Sequence, residues 1–411
     1  MCAFWADNNQ KSENLVQALL EPVKNQFVPD GKGGVAGMNF GAYDEFLSAI
    51  ESYINLHPEI PVSQRFQLLS SAVWAAAKAE KLDAKNLLDF VKTEESQYLS
   101  QPKENYEFVS SLSVKYFKGM SRSNLKPPIR FAERIPKKYD FNPILKPFDY
   151  IGVKEIPENY TFFRIPVKAR NPYEAYRLGI DSIDLLRAIW NWYFKPTEYI
   201  FNSDQSRKPL NFITLGPFHT ILKPDGKLFT DFWYETEFQE SALEIRKDWG
   251  KLNLFERKTR RHFARHPYKT DIENALRRMT QALDHKDKDV SFLKLWQVLE
   301  KLTATNNANY DQLIKRVSFL YEDVELTKGV LNHLRLHRNS SVHDGKGSDR
   351  IEKYLYQLKR YVQRVLSFHI NNPFKVNKLS DAVAFLDLPS DSTILTDRFK
   401  QIKQALKFRK V

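Results

Sequence analysis

Groups able to do acid–base and phosphate chemistry crowd together in Leu334-Arg335-Leu336-His337-Arg338-Asn339-Ser340-Ser341-Val342-His343-Asp344-Gly345. Four residues separate Arg338 from His343, and Asn339 follows the arginine directly. An imidazole with an ordinary pKa near ~6.5 takes or gives a proton near neutrality. A guanidinium keeps its charge, and its fork of donors fits phosphate oxygens. Asparagine can orient a ribose hydroxyl or the imidazole. Together these groups suit attack by an RNA 2′-hydroxyl on its own phosphate, a reaction that needs proton transfer and charge stabilisation but no metal. One histidine is thin for both the acid and the base role, and two copies facing each other across a dimer would supply the second. The same residues also read as a polar helix end, where Arg, Asn and His complement the dipole and cap carbonyls. An isolated arginine–x4–histidine spacing arises by chance in many proteins.

The element that must position this stretch is a helix expected from Leu331 to Val342 and stopped by Asp344-Gly345. Leu331, Leu334 and Val342 would pack inward, while Arg335, Arg338, Asn339 and His343 point elsewhere. Arg338 and His343 are five apart and not stacked on one face, and fraying near Val342 would let them converge. Helical periodicity dominates from Ser241 onward. Ile272, Ala275, Leu276, Met279, Ala282 and Leu283 form one stripe; Phe292, Leu295, Trp296, Leu299 and Leu302 form the next. Leu313 to Leu320 comes after it, then the helix ending at Asp344-Gly345, then a long helix from Ile351 to Leu366. Such a set makes a bundle of ordinary domain size. Leu379 to Lys410 adds a short apolar segment and a basic closing helix.

The sequence Arg338-Asn339-x-x-Val342-His343, after Leu331-x-x-Leu334-Arg335, resembles the R-x4-6-H signature of HEPN domains. These are helical nuclease modules of toxin–antitoxin, CRISPR and other antiviral systems. Phe292 to Leu302 resembles the helix that precedes the signature in that family, with Glu300 in its glutamate position. Asp344-Gly345 resembles the family's frequent continuation after the histidine, and Ile351 to Phe368 resembles its closing helix. The tail Leu379 to Leu388 is similar to that of the Apea-like HEPN group of phage-defence proteins. The resemblance covers roughly residues 270–390 and attaches the first 240 residues to no family. It implies a metal-independent endoribonuclease acting as a dimer, without a cofactor, leaving a 2′,3′-cyclic phosphate. Arg338 would bind the scissile phosphate, His343 would transfer the proton, and Asn339 would position them. Glu300 would anchor the motif through Arg335 or Arg338, although it also reads as a solvated helix residue. An antiviral or toxin-like RNase acting on tRNA or another structured RNA, answering a phage-derived trigger, is the expected function. The alternative is a non-catalytic HEPN scaffold that binds RNA or protein in a defence complex.

A second candidate is Arg257-Lys258-Thr259-Arg260-Arg261-His262-Phe263-Ala264-Arg265-His266-Pro267-Tyr268-Lys269, densely basic with aromatics interleaved. Arg257, Lys258, Arg260, Arg261, Arg265 and Lys269 could neutralise phosphates while the aromatics stack on unpaired bases. The plain alternative is a solvated helix face. His262 and His266 have metal spacing, but the acidic partners of an H-E-x-x-H pattern are missing. Asp231, Glu235, Glu237, Glu240 and Glu244 match no two-metal arrangement and read as solvated. The run Pro29 to Gly37 lacks the G-K-[ST] ending of a phosphate loop.

Around these candidates the chain divides by texture. Residues 1–100 read as helical. Residues 101–245 read as an α+β region with a regulatory or sensing role, and residues 246–411 as the bundle. The fold class is α+β overall and predominantly α. Strand patterns cover Val109 to Tyr116, Ile129 to Ile135 and Thr161 to Ala169, with Pro166 arguing for an edge position. Asn171-Pro172 reads as an N-cap and first turn of a helix reaching about Phe194. Pro224-Asp225-Gly226 joins a hairpin, and Trp190, Trp192 and Trp233 are expected in the core. The chain has 411 residues and a net charge of +13, which suits a polyanionic partner. Cys2 is the only cysteine, so no intrachain disulfide or cysteine-based zinc site forms. A reducing, cytoplasmic setting is the natural inference. Nothing at Met1 to Gln10 reads as a secretory signal, and no apolar run approaches membrane-spanning length.

Overall fold

The computed structural model describes all residues except 1–2, 7–8, 25–27, 30–34, 37–39, 136–155, 195–207, 230–232, 305–308, 345–349 and 410–411, and the side chains of 9, 28–29, 35–36, 40–42 and 341–344. The described part is α+β and predominantly helical. It divides into two compact units. One comprises residues 1–108, 165–180 and 220–231; the other comprises 109–164, 181–219 and 232–411. Residues 101–245, expected as one α+β region, contribute to both.

The first unit opens with β1 (Phe4–Trp5), α1 (Asn9–Lys24), the paired β2 (Val28–Pro29) and β3 (Val35–Ala36), α2 (Phe40–Glu51) and β4 (Ile54–Asn55), which pairs with β1. The interior of the glycine-rich run, from Asp30 to Gly34, lies outside the described residues. α3 (Val62–Lys78) and α4 (Ala84–Ser100) complete the helical part. Val16, Leu20, Leu47, Ile50, Leu69 and Val73 recur at helical spacing and close a common core. Asp83 caps α4, its Oδ1 accepting from the Asn86 N–H at 3.0 Å. A buried carboxylate on α4, Glu95, ties down the chain by accepting from the backbone N–H groups of Ala3 and His57, each at 2.6 Å.

A five-stranded sheet comes next, built from β5 (Glu104–Leu112), β6 (Arg130–Ala132), β7 (Thr161–Ala169), β8 (Phe218–Leu222) and β9 (Trp233–Tyr234) in the order β6-β7-β5-β8-β9. β7 therefore has a neighbour on each side, against the edge position expected from Pro166. The reason lies in register: β6 spans only Phe162 to Arg164 of β7. On that side Pro166 lies beyond the ladder, where a missing N–H costs nothing. The Pro224-Asp225-Gly226 turn joins β8 to β9, with the Gly226 N–H donating to the Lys223 carbonyl at 3.0 Å and Gly226 at φ +80°. Only glycine takes that backbone angle without strain. α5 (Pro172–Tyr193) begins as its sequence predicts. The Asn171 side chain accepts from the Glu174 N–H at 2.9 Å, and Glu174 reaches back to the Arg170 N–H at 2.7 Å.

In the second unit come α6 (Trp249–Ala264), α7 (Lys269–Asp284), α8 (Lys288–Leu302), α9 (Tyr310–Ser318), α10 (Val324–Asp344), α11 (Ile351–Asn371), α12 (Leu379–Leu386) and α13 (Ser392–Phe408). α8 packs against α7, α10 and α11. Phe292, Leu295, Trp296, Leu299, Leu331 and Leu334 lie at the centre of the core, which also takes in Leu185 and Ile189 from α5. Trp190 is fully buried, as expected of it, whereas Trp192 and Trp233 are only half-buried. Asp287 and Asn309 cap α8 and α9. Arg187 of α5 pairs with Asp184 and Asp284, each at 2.7 Å, and all three are buried. Among the described residues no helix is long and apolar enough to cross a membrane.

Candidate functional site

α10 carries the opening motif, and it is longer than the motif's periodicity predicts. Asp323 caps its start, accepting from the Leu326 N–H at 2.9 Å, and the helix runs without a break to Asp344. The fraying expected near Val342 is absent from the backbone. On a continuous helix, positions five apart lie about 140° apart around the axis. Arg338 and His343 therefore occupy different sides of α10. The side chain of His343 lies outside the described residues.

Arg338 and Asn339 are both half-buried. The Arg338 guanidinium lies over the Tyr310 ring of α9, 5.2 Å from its centroid, and approaches Asn339 Oδ1 at 3.5 Å. A stacked guanidinium keeps its in-plane donors for an oxyanion. Glu300, in the last turn of α8, lies within reach of its charge. Burial pushes the Glu300 carboxyl above the usual carboxylate range, and the Arg338 charge draws it part of the way back. Among the described residues no carboxylate lies within ion-pair distance of Arg338. Arg335 goes elsewhere, donating from Nη1 to Asp311 Oδ1 of α9 at 2.6 Å. Among the described residues neither ion pair expected for Glu300 forms: Arg335 goes to Asp311, and Arg338 acts on Glu300 through its charge alone.

His337 lies between the motif residues but was not expected to matter. It is buried, with its Nε2 3.5 Å from Asp289 Oδ1 and its ring between Phe292 and Tyr354, each at 5.0 Å. Burial lowers its pKa, and Asp289 opposes that shift. An imidazole held by a carboxylate is a familiar base arrangement, but rings cover this one and it acts as a packed core residue. Its signal was present: His337 continues the Leu331–Leu334 stripe at the next i+3 position. Ser110 and His219, 2.6 Å apart, are likewise both enclosed, and burial drives the His219 pKa down to about 3.

The basic run forms the second half of α6 and its exit. Arg257, Lys258, Arg261, Arg265 and Lys269 are exposed, whereas Arg260 is drawn inward by buried Glu256 at 3.0 Å. Glu256 also accepts from Arg122 Nε and Trp190 Nε1, each at 2.9 Å. His262 and His266, considered as metal ligands, instead meet backbone carbonyls at the end of α11: His262 Nε2 donates to the Ile370 carbonyl and His266 Nε2 to that of His369 at 2.9 Å. His369 Nε2 in turn donates to the Leu302 carbonyl at 2.8 Å. Carbonyls only accept, so each of these rings carries its proton on Nε2. Glu235, Glu237 and Glu244 accept from backbone N–H groups of Glu237, Lys286 and Arg246. Asp231 lies outside the described residues. Among the described residues no group of three or more His, Cys, Asp or Glu side chains is placed to hold a metal ion.

The chain matches no family model, and comparison with curated proteins and with solved structures finds no similar protein.

Proposed function

We propose that the C-terminal bundle is a HEPN-type, metal-independent endoribonuclease that works as a dimer, with Arg338, Asn339 and His343 at its site. The observation that carries this reading is the state of Arg338. It is half-buried on a capped, continuous helix and held over Tyr310. Its charge acts on the half-buried Glu300, and among the described residues no carboxylate contacts it at ion-pair distance. A guanidinium so held has donors ready for phosphate oxygens. The 140° between the backbone positions 338 and 343 is in keeping with a composite site, in which a second copy completes the set. Arg338 would hold the scissile phosphate and stabilise the charge that builds on it. His343 would move the proton of the attacking 2′-hydroxyl or of the leaving oxygen, with a second histidine from the partner copy taking the other role. Asn339 and Glu300 would fix the guanidinium. Tyr310 joins them as a positioning residue, and Arg335 ties α9 to α10. Structured RNA such as tRNA suits the exposed cations of α6, and a role in antiviral defence, restrained by the rest of the chain until a trigger arrives, fits such an activity.

The test uses wild type, Arg338→Ala and His343→Ala with total RNA in EDTA, and growth arrest on over-expression in parallel. Cleavage leaving 2′,3′-cyclic phosphate ends, together with arrest, both lost in each variant, is the expected result. Equal behaviour of all three proteins, or activity abolished by the chelator, overturns the proposal. A non-catalytic RNA-binding scaffold is the second reading, favoured by the exposed cations of α6, which need no catalytic partner. It predicts RNA binding without cleavage in all three proteins.

A further inference from the structure

Beside the exposed cations of α6 lies a cavity of about 350 Å³ between α5, α6, α7 and α11. Its floor is core: Ile189, Phe263 and Leu276. Two half-buried aromatic residues, Trp192 and Phe255, line its wall. Neutral polar residues line it from two helices, Thr259 from α6, and Ser367 and Asn371 from α11. His262 joins them with its Nε2 spent on the Ile370 carbonyl, which leaves Nδ1 for a further hydrogen bond. Lys258 also lines the cavity and is exposed. Among the described lining residues there is no carboxylate.

These properties select a ligand chemistry. The aromatic and apolar wall suits a flat ring, and the amide, hydroxyls and imidazole nitrogen suit an edge carrying both donors and acceptors. The lysine, with no carboxylate among the described lining residues, suits an attached anion. A nucleobase with its phosphate has this combination. Lys258 lines the cavity, and Arg261 on α6 and Arg265 at its C-cap follow at i+3 and i+7, all three exposed. They extend over roughly 10 Å of helix, longer than one phosphate group needs. We propose that the cavity takes one unstacked base of single-stranded RNA while Lys258, Arg261 and Arg265 hold the adjoining phosphates. The inference rests on RNA being the ligand of this surface, but not on cleavage. It gives the basic helix a means to prefer unpaired over paired strands, since charge alone does not read pairing.

The experiment measures binding of labelled 2′-O-methyl oligonucleotides, which lack the attacking hydroxyl, by fluorescence anisotropy of the full chain. The probes are a single strand and the blunt duplex of the same length, with adenosine and uridine monophosphates as competitors. Wild type should prefer the single strand. Ser367→Phe fills the cavity and leaves every α6 cation in place. It should lower single-strand affinity about tenfold, the loss of one stacked base, with duplex affinity unchanged. Asn371→Ala removes an amide without adding bulk and should lower single-strand affinity about threefold; circular dichroism checks that both variants fold. Unchanged single-strand affinity in both variants, with wild type still binding RNA, overturns the base pocket and leaves the RNA reading standing. Wild type that binds neither probe overturns both. A monophosphate that competes as well as the oligonucleotide overturns the RNA source in favour of a free nucleotide.

Discussion

On α6 and at its C-cap the cations stand in solvent: Arg257, Lys258, Arg261 and Arg265 are exposed, and of this basic run Arg260 turns inward to a carboxylate. On α10 each basic side chain that the structure describes from Arg335 to Arg338 is engaged. Arg335 meets Asp311, His337 meets Asp289, and Arg338 lies over Tyr310 with its charge acting on Glu300. Charges in water attract a polyanion from any direction, and their effect fades with salt. Charges held by rings and carboxylates have lost rotamer freedom and act at one place. The first arrangement suits affinity, and the second suits the positioning of a reacting group. The two helices would therefore fail differently when altered.

The largest effect is expected on α10. Arg338→Ala or His343→Ala should lower cleavage by about 10²- to 10⁴-fold while RNA affinity and melting temperature stay near wild type. Single-turnover cleavage assays beside binding isotherms check this, and a parallel loss of affinity would erase the distinction between the helices. Replacing Arg257, Arg261 and Arg265 together by alanine should weaken RNA binding by roughly ten- to a hundredfold. It should also reduce the slope of log affinity against log salt by about two, at ~0.7 per lost contact to a single strand. Cleavage of bound RNA should not change. An unaltered salt slope would mean that these cations do not meet phosphates.

Beneath the exposed face of α6, acid rather than salt should act. Burial lowers the His369 pKa to about 4, and His266 shifts the same way for the same cause. Below about pH 6.5 the unfolded chain takes up protons that the folded imidazole refuses. Stability contributed by neutral His369 is thus complete above about pH 6.5 and lost as the pH falls towards 4, by roughly 3 kcal/mol in all. Urea midpoints across that range measure the loss, and His369→Gln should flatten it. The smallest effect is expected at Arg335. Its partner Asp311 is 89% exposed, and such a pair contributes about 0–1 kcal/mol. Arg335→Ala should leave stability and cleavage nearly unchanged, and a collapse of cleavage would move Arg335 into the site.

Several elements were legible in the residues because the interactions that make them are local. The Asn171-Pro172 start of α5 closes within one turn through Asn171 and Glu174. The β8–β9 turn needs only the Pro224-Asp225-Gly226 chemistry and the positive φ of Gly226. The stripes from Ile272 and from Phe292 repeat at helical spacing and form the core they imply. Other features were hidden because they depend on distant partners. The first turns of α10, from Val324, carry few apolar residues and are secured by the Asp323 cap. The place of β7 inside the sheet depends on β5 and β6, far apart in the chain. The site was legible in part. Arg338 and Asn339 stand together within reach of the Glu300 charge, and His337 was visible as the next member of the Leu331–Leu334 stripe, while Tyr310 and the cavity beside α6 gave no sign at short range.

The sequence by itself determined where most of the bundle helices lie, which stripes from Ile272 and Phe292 turn inward, and that basic and phosphate-fitting side chains gather in two short stretches. Periodicity, caps and turns act over a few residues, so the order of residues suffices to set them. Only the tertiary structure decided which charges are consumed and which remain available. Arg335 and Arg338 lie one turn apart on the same helix. One is tied to Asp311 and the other is held over Tyr310, because α9, 24 residues from Arg335 along the chain, packs against that side of α10.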